Sequence, residues 1–251
     1  MAKRKIHLLG TTALASAGLF AGAAGAADMV VKARPVAPAA TWSGCYVGLN
    51  AGAASTRTTE QLVLPNDPTV HLGDTDSGFT GGAQVGCNYQ VDRNWVFGIE
   101  GDINFLGAKN KSSAFFRARD GEDTYGTGQT RVRSLTTLRG QLGYVWNQAM
   151  FYGTAGLAEG DVKSSFSALS NFQSNNPIPS SGSRSGFRSG WVAGGGIAAQ
   201  LTNKVSAKFE YLHFDLGRFS YSVIGGSEIW NATTKVSGDM VRFGLNYKIS
   251  P

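Results

Sequence analysis

The stretch Trp95-Val-Phe-Gly-Ile-Glu-Gly-Asp-Ile-Asn-Phe105 places bulky apolar side chains on one parity and polar ones on the other. Trp95, Phe97, Ile99, Ile103 and Phe105 alternate with Glu100, Asp102 and Asn104. Successive side chains of a strand point to opposite faces, whereas a helix would mix the two sets. The segment therefore predicts a strand with one aromatic face and one ionic face.

The same period recurs on both sides. Val47, Leu49 and Ala51 oppose Tyr46, Gly48 and Asn50 in 42–55; Phe79, Ala83, Val85 and Tyr89 oppose Thr80, Gln84 and Asn88 in 78–90. Leu138, Leu142, Tyr144 and Trp146 oppose Thr137, Arg139 and Gln141 in 131–146. Val205, Ala207, Phe209 and Tyr211 oppose Ser206, Lys208 and Glu210 in 204–214, and Val241, Phe243, Leu245, Tyr247 and Ile249 oppose Arg242, Asn246 and Lys248 in 240–249. Two Gly/Ala-rich segments, 149–163 and 190–201, follow the pattern less cleanly, with Phe151, Ala155, Leu157 and Trp191, Ile197, Leu201 as their apolar faces.

Short links are predicted at 91–94, 147–148 and 202–203, and long polar ones at 56–77, 108–129, 165–185 and 218–234. A soluble sandwich buries its bulky face and wets the other. Here the bulky face carries the aromatics while the other is small and ionic. The fold class is thus all-β: an eight-stranded antiparallel up-and-down transmembrane barrel with short periplasmic turns and four long extracellular loops. Trp42, Tyr89, Trp95, Tyr144, Trp146 and Tyr247 gather beside the short turns, as an interfacial girdle does. An eight-stranded barrel is just wide enough for side chains to fill, which suits an inner face rich in glycine.

Composition agrees. Of 251 residues 34 are glycine and only 16% are charged. Such a balance disfavours helices, in which glycine costs about 1 kcal/mol relative to alanine. Lys3, Arg4 and Lys5, an apolar run from Leu8 to Ala23 and the small-residue box Ala24-Gly25-Ala26 read as a signal peptide over 1–26, with cleavage after Ala26 or Ala27. Its loss halves the formal net charge of +6 and removes the main support for nucleic-acid binding. Residues 27–41, with Pro35 and Pro38, read as a periplasmic lead-in before a barrel domain over 42–251.

At this point the residues resemble a family. Trp42-Ser-Gly-Cys-Tyr-Val-Gly-Leu-Asn-Ala-Gly, Gly81-Gly-Ala-Gln-Val-Gly-Cys-Asn-Tyr-Gln, Phe97-Gly-Ile-Glu-Gly-Asp, Leu138-Arg-Gly-Gln-Leu-Gly-Tyr, Tyr152-Gly-Thr-Ala-Gly-Leu-Ala, Lys208-Phe-Glu-Tyr-Leu-His-Phe-Asp-Leu-Gly and Val241-Arg-Phe-Gly-Leu-Asn-Tyr-Lys are similar to the small outer-membrane β-barrel surface antigens and porin-like proteins of alphaproteobacteria. The resemblance implies a structural or surface role in the outer membrane, with no catalytic residues. Barrel-assembly machinery is the implied partner during biogenesis. Such chains usually end in an aromatic residue; here Tyr247 and Ile249 are followed by Ser250-Pro251.

Three function classes are weighed. A serine hydrolase needs a base, and beyond His7 in the leader the chain offers only His71, placed in a long loop, and His213, on the lipid face with Asp215 two residues on. No serine motif accompanies them. No enzyme, metal or cofactor is expected. Ligand binding is the second class. Arg131, Arg133, Arg184, Arg188 and Arg218 fall at the predicted outer rim, where lipopolysaccharide phosphates would sit, and the loops could instead serve haem binding or adhesion. The third class divides a closed structural barrel from a small porin. Glu100, Asp102, Arg139, Lys208, Glu210 and Arg242 form a near-balanced inward set. Aligning Trp95 with Trp146 pairs Asp102 with Arg139, and aligning Val205 with Tyr247 pairs Glu210 with Arg242.

Cys45 and Cys87 complete the reading. In an exported chain a cysteine pair is expected to bridge, and aligning Trp42 with Gln90 in an antiparallel hairpin sets the two cysteines opposite each other on the same face.

Overall fold

Alternation becomes strand throughout the computed structural model, which describes residues 41–63, 70–117, 123–170, 178–225 and 228–249. The strands are β1 (Gly44–Val63), β2 (Val70–Gln90), β3 (Trp95–Leu106), β4 (Asn110–Arg117), β5 (Asp123–Trp146), β6 (Ala149–Ser170), β7 (Ile178–Gln200), β8 (Val205–Gly225) and β9 (Glu228–Lys248). Every pairing is antiparallel, and β5 pairs with both β3 and β4, so these two are halves of one stave. The sheet runs β3-β2-β1-β9-β8-β7-β6-β5 and closes through β3–β5, giving eight staves in a ring. The signal peptide and nearly all of the lead-in expected over 1–41 lie outside the described residues.

The short links fall where the sequence places them: 91–94, 147–148 and, one residue wider at each end, 201–204. The tightest is Asn147-Gln148, where Asn147 takes φ of 58°, a conformation this residue tolerates better than most. Tyr89, Trp95, Tyr144, Trp146 and Tyr247 stand outward beside these turns, and Trp95 meets Tyr144 edge to face at 5.3 Å. Trp42 departs from the expected girdle. It shares the parity of Tyr46 and is buried, so it closes the periplasmic mouth from inside with Val96, Val145, Met150, Tyr152 and Ala198.

The opposite ends differ from expectation. Apart from the β3–β4 stave, the strands are 20 to 24 residues long, twice the roughly 9–11 needed to cross a bilayer. Most of the four long links is therefore strand, and His71 lies on β2 opposite Gln61. The cause is a reversal of polarity. Nearer the short turns Leu49, Phe79, Phe105, Leu157 and Phe243 face out. Further along Val132, Val162, Phe166, Phe219, Tyr221 and Val236 face in, while Arg131, Lys163, Ser165, Arg218 and Ser220 face out. The first pattern suits lipid outside, and the second suits water outside with a packed interior. On β6 and β9 the apolar set changes parity at the reversal, whereas on β5 and β8 a bulge, at Val132/Ser134 and at Asp215/Arg218, turns the same parity inward.

Candidate functional site: the charged layer inside the barrel

Six ionic side chains meet at mid-barrel: Glu100 and Asp102 from β3, Arg139 from β5, Lys208 and Glu210 from β8, and Arg242 from β9. Three acids face three bases, and all are buried, Arg139, Glu210 and Arg242 to 1% exposure. Arg139 reaches all three carboxylates, Glu100 at 2.5 Å, Asp102 at 2.8 Å and Glu210 at 3.0 Å. Arg242 does the same at 3.5, 3.1 and 2.7 Å. Lys208 donates to Glu100 at 2.6 Å.

One expected register is corrected. Trp95 pairs with Tyr144 and not with Trp146, so Arg139 stands opposite Glu100, and Asp102 stands opposite Thr137. The hairpin begins two residues earlier on β5 than matched tryptophans imply. Arg139 still reaches Asp102 diagonally, and Thr137 donates to the same carboxylate at 2.7 Å. The other register holds: Glu210 lies opposite Arg242.

Neutral donors complete the layer. The hydroxyl of Tyr46 donates to Glu100 at 2.6 Å and that of Tyr152 to Glu210 at 3.0 Å. Each ring lies over a glycine: a Cβ on Gly86 would sit 2.5 Å from the Tyr46 oxygen, and one on Gly196 2.8 Å from the Tyr152 oxygen. The glycines of the inner face thus make room for aromatic side chains. Asn50 donates to Gln84 at 3.1 Å, and Gln84 in turn to Asn246. The sequence places Tyr46, Asn50, Gln84 and Asn246 on the inner parity but assigns them no partner, and Tyr152 carries no signal of its own, since an inward tyrosine resembles any other aromatic until a partner is known.

Apolar layers lie on both sides. Trp42 and Met150 cover the periplasmic end, and Leu135, Leu212, Phe214 and Met240 the extracellular one. A cavity of about 40 Å³ at the periplasmic mouth, lined by Trp42, Tyr46, Glu100, Tyr152 and Lys208, has room for only a few waters. A buried charge costs several kcal/mol unless opposite charge and hydrogen bonds compensate it. Here every carboxylate has at least two cationic partners.

Higher up, Glu60 is buried at 5% exposure. It accepts from Thr130 at 3.1 Å and Ser164 at 3.3 Å, and burial raises its carboxyl above the usual range while those hydroxyls pull it partly back. No motif marks it, because it lies in a stretch that reads as loop.

Cys45 and Cys87 are partners in register and joined by a disulfide, with Cα atoms 4.0 Å apart, on the outward face near the periplasmic end. His213 meets Asp239 at 2.8 Å, across β8–β9. The expected partner Asp215 instead pairs with Lys235 at 3.0 Å. Cross-strand neighbours stand closer than residues two apart on one strand, which also point the same way. Among the described residues no serine hydroxyl reaches His213. The five arginines separate. Arg131, Arg133 and Arg218 point outward, with Arg133 held by Asp161 at 2.9 Å, whereas Arg184 and Arg188 lie on the inward parity of β7.

Comparison with known proteins adds relatives. A family model described as the outer membrane protein beta-barrel domain matches residues 12–248. A 31 kDa outer-membrane immunogenic protein of Brucella melitensis biotype 1 is 33% identical over 92% of this chain and 96% of the relative. A 25 kDa outer-membrane immunogenic protein of Brucella abortus biovar 1 is 30% identical over 91% and 92%. A 22 kDa outer membrane protein of Rhizobium leguminosarum bv. viciae is 31% identical over 77% and 73%.

Proposed function

Because the chain belongs to the outer membrane protein β-barrel family, we propose that it is a closed structural barrel of the outer membrane, contributing to envelope integrity and presenting a long extracellular surface. The carrying observation is the six-charge layer. Its acids and bases neutralise one another, and its partners come from β3, β5, β8 and β9, so it spans the lumen. An aqueous pore would keep such groups hydrated around a path. Here they are bonded to each other and capped by Trp42 and Met150 below and Leu212 and Phe214 above.

Strand lengths support the surface role. At about 3.3 Å per residue a 22-residue strand such as β6 measures about 70 Å along its path, against a hydrocarbon core of about 30 Å. The projecting half offers polar outward faces around a packed interior, a rigid platform for recognition.

Proteoliposomes loaded with a small sugar test the proposal. The closed barrel leaves the sugar inside at the rate of protein-free vesicles; rapid release proportional to protein would favour the porin reading.

A further inference from the structure

A second polar layer lies in the extracellular half. Glu60 of β1, Thr130 of β5, Ser164 of β6, Tyr221 of β8 and Thr234 of β9 all point inward, and each is 5% exposed or less. The register brings them together: Glu60 stands opposite Thr234, and Thr130 opposite Ser164. The Thr130 and Ser164 hydroxyls lie 2.9 Å from each other and 3.1 and 3.3 Å from the same Glu60 oxygen, so three oxygens form a triangle. Directly opposite residues on one face have Cβ atoms about 5 Å apart, which puts the Thr234 hydroxyl beside that carboxylate as well.

This layer is short of positive charge. Tyr221 and Thr234 add two buried hydroxyls, and neither completes a hydrogen bond. Tyr221 nevertheless sits beside Ser164 and Thr234, and burial and the Glu60 charge together raise its phenol above the usual value. Among the described residues no lysine or arginine bonds Glu60, whereas every carboxylate of the mid-barrel layer has at least two cationic partners. Arg184, opposite Ser164 on β7, turns instead to the Ser220 carbonyl at 3.4 Å. A buried carboxylate, two hydroxyls bonded to it and two more without partners thus converge from five strands.

We propose that Glu60 and the hydroxyls of Thr130, Ser164, Tyr221 and Thr234 bind a sodium ion. Two carboxylate oxygens and four hydroxyls offer six hard oxygen ligands, and a hydroxyl without a hydrogen bond still has lone pairs to give. One negative charge among neutral groups balances a monovalent ion, and a divalent one would leave buried positive charge uncompensated. Oxygens 2.9 to 3.3 Å apart suit a small ion. Access comes through the wall. Residues 182–190 of β7 have no partner on β8, Ser164 pairs with Arg184 inside that stretch, and a Cβ on Gly186 would meet nothing within 4 Å. The ion does for Glu60 what Arg139 and Arg242 do for the carboxylates below, and it ties β1, β5, β6, β8 and β9 together.

Equilibrium unfolding of the detergent-folded protein at pH 7, in sodium chloride against choline chloride of equal ionic strength, tests the site. Sodium should stabilise the wild type saturably, raising its folding equilibrium constant about tenfold once the ion reaches about ten times its dissociation constant, and choline should not. Glu60→Gln should abolish the response; it should be the more stable protein in choline, with sodium narrowing the gap. Glu159→Gln, which removes an exposed carboxylate of β6, should keep the response. Tyr221→Phe separates a ligand from a scaffold residue. Deleting a hydroxyl that completes no hydrogen bond should leave stability in choline unchanged, yet move half-saturation to about tenfold more sodium. Should Glu60→Gln not fold, Tyr221→Phe and wild type decide. Equal effects of sodium and choline, a response that survives Glu60→Gln or is unchanged in Tyr221→Phe, or a larger response to calcium at the same concentration would overturn the site. So would a response that appears only after Arg184→Gln, which would make Arg184 the counter-charge of Glu60.

Discussion

Arg139 and Glu210 bond at 3.0 Å although β6 and β7 separate their strands in the wall, so this ion pair crosses the barrel interior. With the contacts of Arg139 to Glu100 and Asp102, it makes one guanidinium the node of three carboxylates.

Removing that node strands buried charge. Arg139→Ala should lower stability by about 3–5 kcal/mol, because the carboxylates keep their desolvation while losing a partner. Equilibrium unfolding of the detergent-folded protein measures this, and an unchanged midpoint would mean that water already solvates the layer.

The central layer was legible in sequence because Glu100, Asp102, Arg139, Lys208, Glu210 and Arg242 interrupt the alternation with charge on the small-residue parity. What depends on three dimensions was not. The Arg139–Glu100 register hangs on where a hairpin starts, and aromatic matching misses it by two residues. The extracellular strands were hidden because Val132, Phe166 and Tyr221 face the interior, the side that is polar further down, and because bulges at Val132/Ser134 and Asp215/Arg218 break the parity count, so the reversal resembles the end of a strand. The bulge of β8 between Asp215 and Arg218, where Gly217 takes φ of 73°, leaves no periodic trace; Gly217 is simply one glycine among many.

The reversal can be tested by labelling. On intact cells Ser165→Cys should react with a membrane-impermeant maleimide while Phe166→Cys stays protected, since Phe166 is 3% exposed and its neighbour faces out. Equal reactivity would place this stretch in a flexible loop.

Glu60 gives the extracellular half a pH dependence. Its carboxyl is raised in the folded state by burial, so folding favours the protonated form. The associated stability is full below the unfolded-state value and is lost as pH rises through the folded one. Glu60→Gln, which mimics the protonated group, should raise stability at neutral pH and flatten its acid dependence. A variant less stable than wild type at pH 7 would show instead that the ionised form is the favoured one.

The disulfide closes a hairpin with a sequence separation of 42. Protein exported to the membrane should show no alkylatable thiol by non-reducing mass spectrometry, and Cys45→Ser with Cys87→Ser should cost about 2–4 kcal/mol on unfolding. Two reactive thiols would exclude the bridge.

Single-channel recording in planar bilayers tests the closed lumen most directly. With Arg139, Arg242 and Lys208 neutralised by Glu100, Asp102 and Glu210, the wild type should insert without a stable open level, and Arg139→Ala should introduce brief or noisy openings. A large, long-lived conductance from the wild type, altered by Arg139→Ala only in ion selectivity, would contradict the account.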